Sequence, residues 1–334
     1  NEDYASVPAE MKSVARELGV EYLRDTDRET LVRKLCEDKT LRERVGDRAI
    51  LRAHHFFDEN DRVTEQMKAL DSGDTPAFLA NRIGLCFLHG AAHLAETCRD
   101  RGGIDYVDTL LGGFTGRAMP PLATVDFIGL DVHAAIIRNL RDNTDDCMHG
   151  LYCLPPYMEA LLARGALGRK SGGGLFRQSV GAGGETVREV YDIASDAYRP
   201  AVRYTVPFAR AMCACLHTGD YAGAFRVLLY DGSEEAALCR RMLGQYLLYA
   251  AVVAEETGCS LHDADTAMAT GFDWCPPLAL LDALGTAGDG FRLCEPLCRG
   301  EQETAALARL RAVPALHGRR SAFDFRPFFR AKEV

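Results

Sequence analysis

Apolar positions recur at helical spacing along most of this chain, and the helices they predict come in two matched sets. From Asn81-Arg82 onward, Ile83, Leu85, Cys86, Phe87, Leu88, Ala91, Ala92, Leu94 and Ala95 make a stretch apolar on most faces, which predicts a buried helix. RMLGQYLLYAAVVAE (241–255) aligns with RIGLCFLHGAAHLAE (82–96). Each is followed by an Asp-Thr pair, Asp108-Thr109 and Asp265-Thr266. Then come MPPLATVDFIG (119–129) and CPPLALLDALG (275–285), identical at six of eleven positions. One helical unit is used twice, and such repeats fix architecture because each copy buries its apolar face on the other. A Pro-Pro pair lacks two amide donors and cannot sit mid-helix, so it marks the turn into a helix whose Leu122 or Leu278 points inward. Asp126 and Asp282 follow those leucines in apolar surroundings and must find donors. Recurrence in both copies favours capping of a neighbouring loop over catalysis, since one active site needs only one.

The first 79 residues read differently. Val7, Met11, Val14, Ala15 and Leu18 share a helical face, with Pro8 suited to a first turn and Gly19 to a stop. Leu31, Val32 and Leu35 predict a second helix, and 49–70 a third, rich in paired charges. Charged residues crowd this segment, whereas glycine and cysteine concentrate after it. The shift marks a seam near residue 75.

Composition narrows the functional classes. A net charge of −9 argues against nucleic acid as a partner. The longest apolar run, MLGQYLLYAAVVA, is too short to span a bilayer and holds Gln245, so no membrane is expected. None of the twelve cysteines forms a Cys-x-x-Cys pair, and reduced, buried thiols in a cytoplasmic protein are expected. His89 and His93 have the spacing of two zinc ligands, but Gly90 stands where the zincin pattern needs Glu, and no metal site is assigned. Gly172-Gly173-Gly174 lacks the strand–loop–helix context of a phosphate loop. GAGGE (181–185) reads as a flexible connector, and Trp274 as a packing anchor.

Motifs then carry two resemblances. DYASVPAEMKSVA (3–15), GDRAILRAHHFFDENDRV (46–63) and ALDSGDTPAFL (69–79) resemble part of the C-terminal half of galactokinases. That family's phosphate loop and catalytic Asp have no counterpart here, so no galactokinase role is carried onto any residue. His55-Phe56-Phe57 echoes the His-Phe-Phe of hydroxyacyl-CoA dehydrogenases, but Asp-Glu follows it and its surroundings fit the galactokinase stretch, so no catalytic role is assigned. Residues 74–334 resemble the helical C-terminal region of 3-hydroxyacyl-CoA dehydrogenases of the β-oxidation type. DTPAFLANRI (74–83), GGIDYVDTLLGGFTGRAMPPLATVDFIGLDV (102–132), LGRKSGGGLFR (167–177) and DADTAMATGFDWCPPLALLDALG (263–285) carry this in family order. Pro120 and Pro276 depart from the family's usual Gly. The resemblances overlap on DTPAFL, which suggests a chimera joined there.

The second resemblance implies a mainly all-α fold without a Rossmann domain. Residues 1–73 form a helical appendage. Residues 74–180 form a first dehydrogenase C-terminal-like domain, 181–186 a linker and 187–334 a second such domain. It also implies the family reaction, NAD-dependent oxidation of (S)-3-hydroxyacyl-CoA to 3-oxoacyl-CoA in fatty-acid β-oxidation, and a homodimer. The family's helical domain supplies an Asn that orients substrate and the catalytic His, and it maps onto Asn81. No Gly-x-Gly-x-x-Gly follows a strand, and the family's His–Glu pair is not in register. The expectation is a substrate and dimerisation region, inactive until a Rossmann domain binds NAD in cis or in trans. A non-catalytic acyl-CoA-binding or dimerisation module is the alternative, and a sugar kinase the least supported. The basic, aromatic RPFFRAK near the C-terminus is left without a role.

Overall fold

The computed structural model describes residues 2–54, 56–57, 79–181 and 184–330. His55, the seam near residue 75 and the DTPAF run (74–78) lie outside them, as does most of the third N-terminal helix expected over 49–70. Contacts divide the chain into two compact units, Asn1–Thr75 and Pro76–Val334.

The first unit holds α1 (Glu2–Glu17), α2 (Arg28–Glu37) and α3 (Leu41–Val45). Val14, Ala15, Leu23, Leu31, Ala49, Ala53 and Phe57 close on one another as its core. Asp27 caps α2 by accepting the Thr30 amide at 2.7 Å.

The second unit is mostly helical. Its first set of helices is α4 (Leu79–Thr97), α5 (Ile104–Leu110), α6 (Pro121–Ile128), α7 (Leu130–Asn143) and α8 (Pro156–Ala163). A sheet of β1 (Phe176–Val180), β2 (Thr186–Asp192) and β3 (Ala197–Pro200) follows. Then come α9 (Pro207–His217), α10 (Tyr221–Tyr230), α11 (Glu234–Glu256), α12 (Leu261–Phe272), α13 (Pro277–Gly285) and α14 (Glu301–Ala312). None of the described helices is long and apolar enough to cross a membrane.

Two long helices, α4 and α11, make the centre. Both are buried on most faces, as their apolar patterns require. They pack on each other, and α12 packs on α4. Gly84 lets that happen, because a Cβ there would lie 2.3 Å from the Phe272 ring of α12. Trp274 sits among Phe87, Tyr246 and Phe272 and is 2% exposed.

The sheet is where structure and sequence reading differ most. The sequence reads a connector over 181–185; β1 ends just before it and β2 begins just after it. Val180 pairs with Thr186, and the Gly181 amide donates to the Glu185 carbonyl at 2.8 Å. Strands β1, β2 and β3 run antiparallel in that order. In TVREVYD the exposed Thr186 and Arg188 share a face with the buried Val190, so its polar members mask a strand that only tertiary packing reveals. The C-terminal stretch gains a place too. Phe325 and Phe329 pack on Phe225 of α10, and the Arg330 amide donates to the Gly113 carbonyl at 3.0 Å.

Candidate functional site

Both Pro-Pro turns are built around the same kind of hydrogen bond. Asp108 accepts the Leu122 amide at 2.7 Å and the Ala123 amide at 2.9 Å, at the N-terminus of α6. Asp265 accepts the Leu278 amide at 2.8 Å, at the N-terminus of α13. Pro120 and Pro276 are the cap residues and bring no capping side chain, so a carboxylate from the preceding helix takes the open amides. Burial pushes Asp108 and Asp265 up to about 7, against hydrogen-bond donors that hold each down.

The carboxylate that follows each Pro-Pro pair caps a loop. Asp126 accepts the amides of Leu175 and Phe176 at 2.7 and 3.2 Å. Asp282 accepts those of Arg320 and Ser321. This explains the Gly-rich run, since a Cβ on Gly174 would lie 2.5 Å from Asp126 Oδ1 and 2.3 Å from Gly168 Cα. The glycines permit close backbone approach around a carboxylate, which is the reverse of a phosphate cradle.

Asn81 occupies the first turn of α4, half-buried, and its side chain makes no hydrogen bond among the described residues. Arg82 follows it and is 2% exposed. Its Nη2 donates to Asp146 Oδ2 at 2.7 Å and to Glu256 Oε2 at 2.5 Å. Tyr249 donates to the same Asp146 oxygen at 2.7 Å, and Tyr152 lies 2.5 Å from the Tyr249 hydroxyl. Burial disfavours the Arg82 charge, but the Glu256 carboxylate that accepts from it helps to more than offset this and hold the guanidinium above its ordinary range. Desolvation pushes both phenols far up, so they stay protonated as donors. This network, missed in the sequence, fixes the Asn81 end of α4 to the segment after α7 and to the end of α11. An Arg at the head of an otherwise apolar helix was the available signal.

The histidines cluster without a carboxylate. Among the described residues no three His, Cys, Asp or Glu side chains could hold a metal ion. His89 Nε2 lies 3.1 Å from the Cys153 carbonyl, which can only accept, so that nitrogen carries the proton. His89 Nδ1 then accepts from His133 Nε2–H at 3.1 Å, and His133 Nδ1 is left buried with no partner. Desolvation lowers His89 to about 4 and His133 well below the usual range.

Arg117 was also missed. It is buried, its guanidinium stacks on Phe87 at 3.7 Å with Trp274 and Tyr246 nearby, and Nε has no partner. Nη1 donates to the Thr115 carbonyl at 3.0 Å. Burial lowers its pKa to about 10.

Comparison with known proteins places residues 78–178 in register with the family model of the 3-hydroxyacyl-CoA dehydrogenase C-terminal domain. A Bacillus subtilis (strain 168) protein named "Probable 3-hydroxyacyl-CoA dehydrogenase" is 29% identical over 214 residues, 64% of this chain and 26% of that protein. A Deinococcus radiodurans protein named "Probable 3-hydroxybutyryl-CoA dehydrogenase" is 32% identical over 135 residues, 38% of this chain and 46% of that protein. The mitochondrial hydroxyacyl-coenzyme A dehydrogenase of Sus scrofa is 31% identical over 104 residues, 31% of this chain and 32% of that protein. The matched stretch thus spans well under two thirds of these relatives. No solved structure matches the chain significantly. A mostly helical unit agrees with that helical domain.

Proposed function

We propose that the chain is the helical substrate and dimerisation region of a 3-hydroxyacyl-CoA dehydrogenase, serving NAD-dependent oxidation of (S)-3-hydroxyacyl-CoA in fatty-acid β-oxidation in the cytoplasm. The carrying observation is the match of residues 78–178 to the family's C-terminal domain, with Asn81 in the first turn of its first helix. In this reading Asn81 orients the substrate hydroxyl and the partner domain's general base. An amide donates and accepts without titrating, and the Arg82 network beneath it resists displacement. NAD sits on a Rossmann domain supplied in cis or in trans, and the described residues of this chain are assigned no part in holding it.

The internal duplication is part of the same reading. The paired Asp108 and Asp265 turns, and the paired Asp126 and Asp282 loop caps, support two copies of one helical unit packed as a pseudo-dimer. Residues 1–79 are proposed as a galactokinase-derived fragment joined near residue 75, on motif resemblance and the charge shift alone.

The test is NADH oxidation with acetoacetyl-CoA, by the chain alone and mixed with the Rossmann domain of a relative. Turnover only in the mixture, with CoA-dependent thermal stabilisation of the chain alone, is expected. Stabilisation without turnover in the mixture would favour the non-catalytic binding module. Turnover by the chain alone would overturn the need for a second domain.

A further inference from the structure

We propose that a cleft along α11 binds an organic anion carried on an apolar tail. The cleft encloses about 280 Å³, close to the smallest pockets, about 300 Å³, that hold small molecules. One face of α11 forms its wall, with Arg241, Gln245, Leu248 and Tyr249 spaced at helical intervals. Met148 and Leu297 close it from two other segments, and Asn81 does not line it.

The charges at its rim point to the ligand. Arg241 and Arg299 line the cleft, and neither has a carboxylate within ion-pair distance among the described residues. Nearby arginines behave otherwise, since Arg309 meets Glu255 at 2.9 Å and Arg311 meets Glu295 at 2.5 Å. The one acidic lining residue, Glu303, folds back toward Gly300 at the start of α14, so close that a Cβ on Gly300 would lie 2.6 Å from Glu303 Oε2. Two arginines against one glutamate leave the lining net positive. Gln245 spends one amide hydrogen on Met148 Sδ at 3.3 Å and has a second N–H to donate to an anion.

Below the rim the walls are apolar. Leu248 and Tyr249 are nearly fully buried, and Met148 adapts its shape readily to an alkyl group. Two exposed arginines above such a floor suit a carboxylate or a phosphate monoester on a short alkyl chain.

The experiment titrates the full chain with octanoate, octyl phosphate and octanol, followed by methyl NMR at Met148 and Leu248. Saturable binding of either anion, with octanol weaker by roughly tenfold or more, is expected, and the tighter anion identifies the head group. Arg241→Gln combined with Arg299→Gln should weaken the anions to the level of octanol. Gln245→Trp should fill the cleft and remove binding of all three, while the far-UV spectrum keeps its helical content. Equal binding of octanol and the anions, no saturation by either anion, or an unchanged affinity in the arginine double variant would overturn the proposal. Failure here leaves the dehydrogenase reading untouched, because that rests on residues 78–178 and turnover.

Discussion

Arg82 and Asp146, 64 residues apart in the chain, meet at 2.7 Å where both side chains are almost wholly removed from water. Asp146 also accepts the Tyr249 hydroxyl and, at 2.8 Å, the Met148 amide. Removing this carboxylate leaves a buried cation with only Glu256, and two further donors without an acceptor. Asp146→Ala is therefore expected to cost about 3–5 kcal/mol in chemical denaturation. Arg82→Met combined with Asp146→Leu should recover most of that loss, since a well-packed apolar pair avoids the desolvation cost. A loss below about 1 kcal/mol for the single variant would place the pair with ordinary surface bridges.

The capping carboxylates give a second expectation. Asp108→Ala and Asp265→Ala each remove the acceptor of helix N-terminal amides and should cost about 1–2 kcal/mol. The Asp108 loss should be the larger, because it caps two amides whereas Asp265 shares its second oxygen with the Ser321 hydroxyl. Equal stability of wild type and both variants in urea would show that the Pro-Pro turns hold without them.

These carboxylates also show where the sequence was legible. Asp126 and Asp282 stood out because each lies six residues after the first proline of a Pro-Pro pair, and Asp108 and Asp265 because each precedes such a pair at nearly the same distance; the loops that Asp126 and Asp282 cap, 38 to 50 residues further on, were not legible. The helices were legible because their apolar period is the period of the helix. Arg82–Asp146 and the Arg117 stack were not, because each joins residues brought together only by folding. The β-sheet escaped because its strands are short and half polar, so their alternation carries little apolar contrast. For Asn81 the sequence supplied a position in a motif, and the structure adds that its neighbour is locked in place.

Arg117 yields a prediction of unusual sign. Its charge is buried against three rings with Nε unpaired, and no carboxylate among the described residues meets it. Arg117→Met keeps most of the volume and removes the desolvation cost, so it should be neutral or stabilising by about 1 kcal/mol. Arg117→Ala leaves a cavity beside Phe87 and Trp274 and should cost about 3 kcal/mol. Thermal melts of the two variants separate packing from charge. A large loss in the methionine variant would mean that the cation–ring contact dominates.

The His89–His133 pair sets a pH dependence. An unfolded His binds a proton near pH 6.5, whereas His89 in the fold does so only near 4. Between those values the unfolded state holds more protons, so the pair's contribution is complete above about pH 6.5 and is lost as pH falls to about 4. The shift corresponds to about 3 kcal/mol for His89. Stability of wild type minus that of His89→Gln, measured in urea from pH 7 to pH 4, should shrink by that order. A difference that stays constant with pH would mean that His89 takes up its proton in the fold as readily as in the unfolded chain.

Asn81 carries the functional prediction. Its side chain has no hydrogen bond within the described fold, so truncation should not unfold α4. If it orients substrate in the assembled enzyme, Asn81→Ala should lower kcat by about 10²-fold in the mixture with a Rossmann domain, because misplacement of about 1 Å costs that much. The pH profile should keep its shape, since an amide does not titrate and the proposed reading puts the base on another domain. Asn81→Gln, with the same groups on a longer arm, should restore part of the rate. A variant with unchanged kcat and raised KM would instead mark Asn81 as a contact made equally before and during the reaction. A bell shifted along the pH axis would tie it to the base directly.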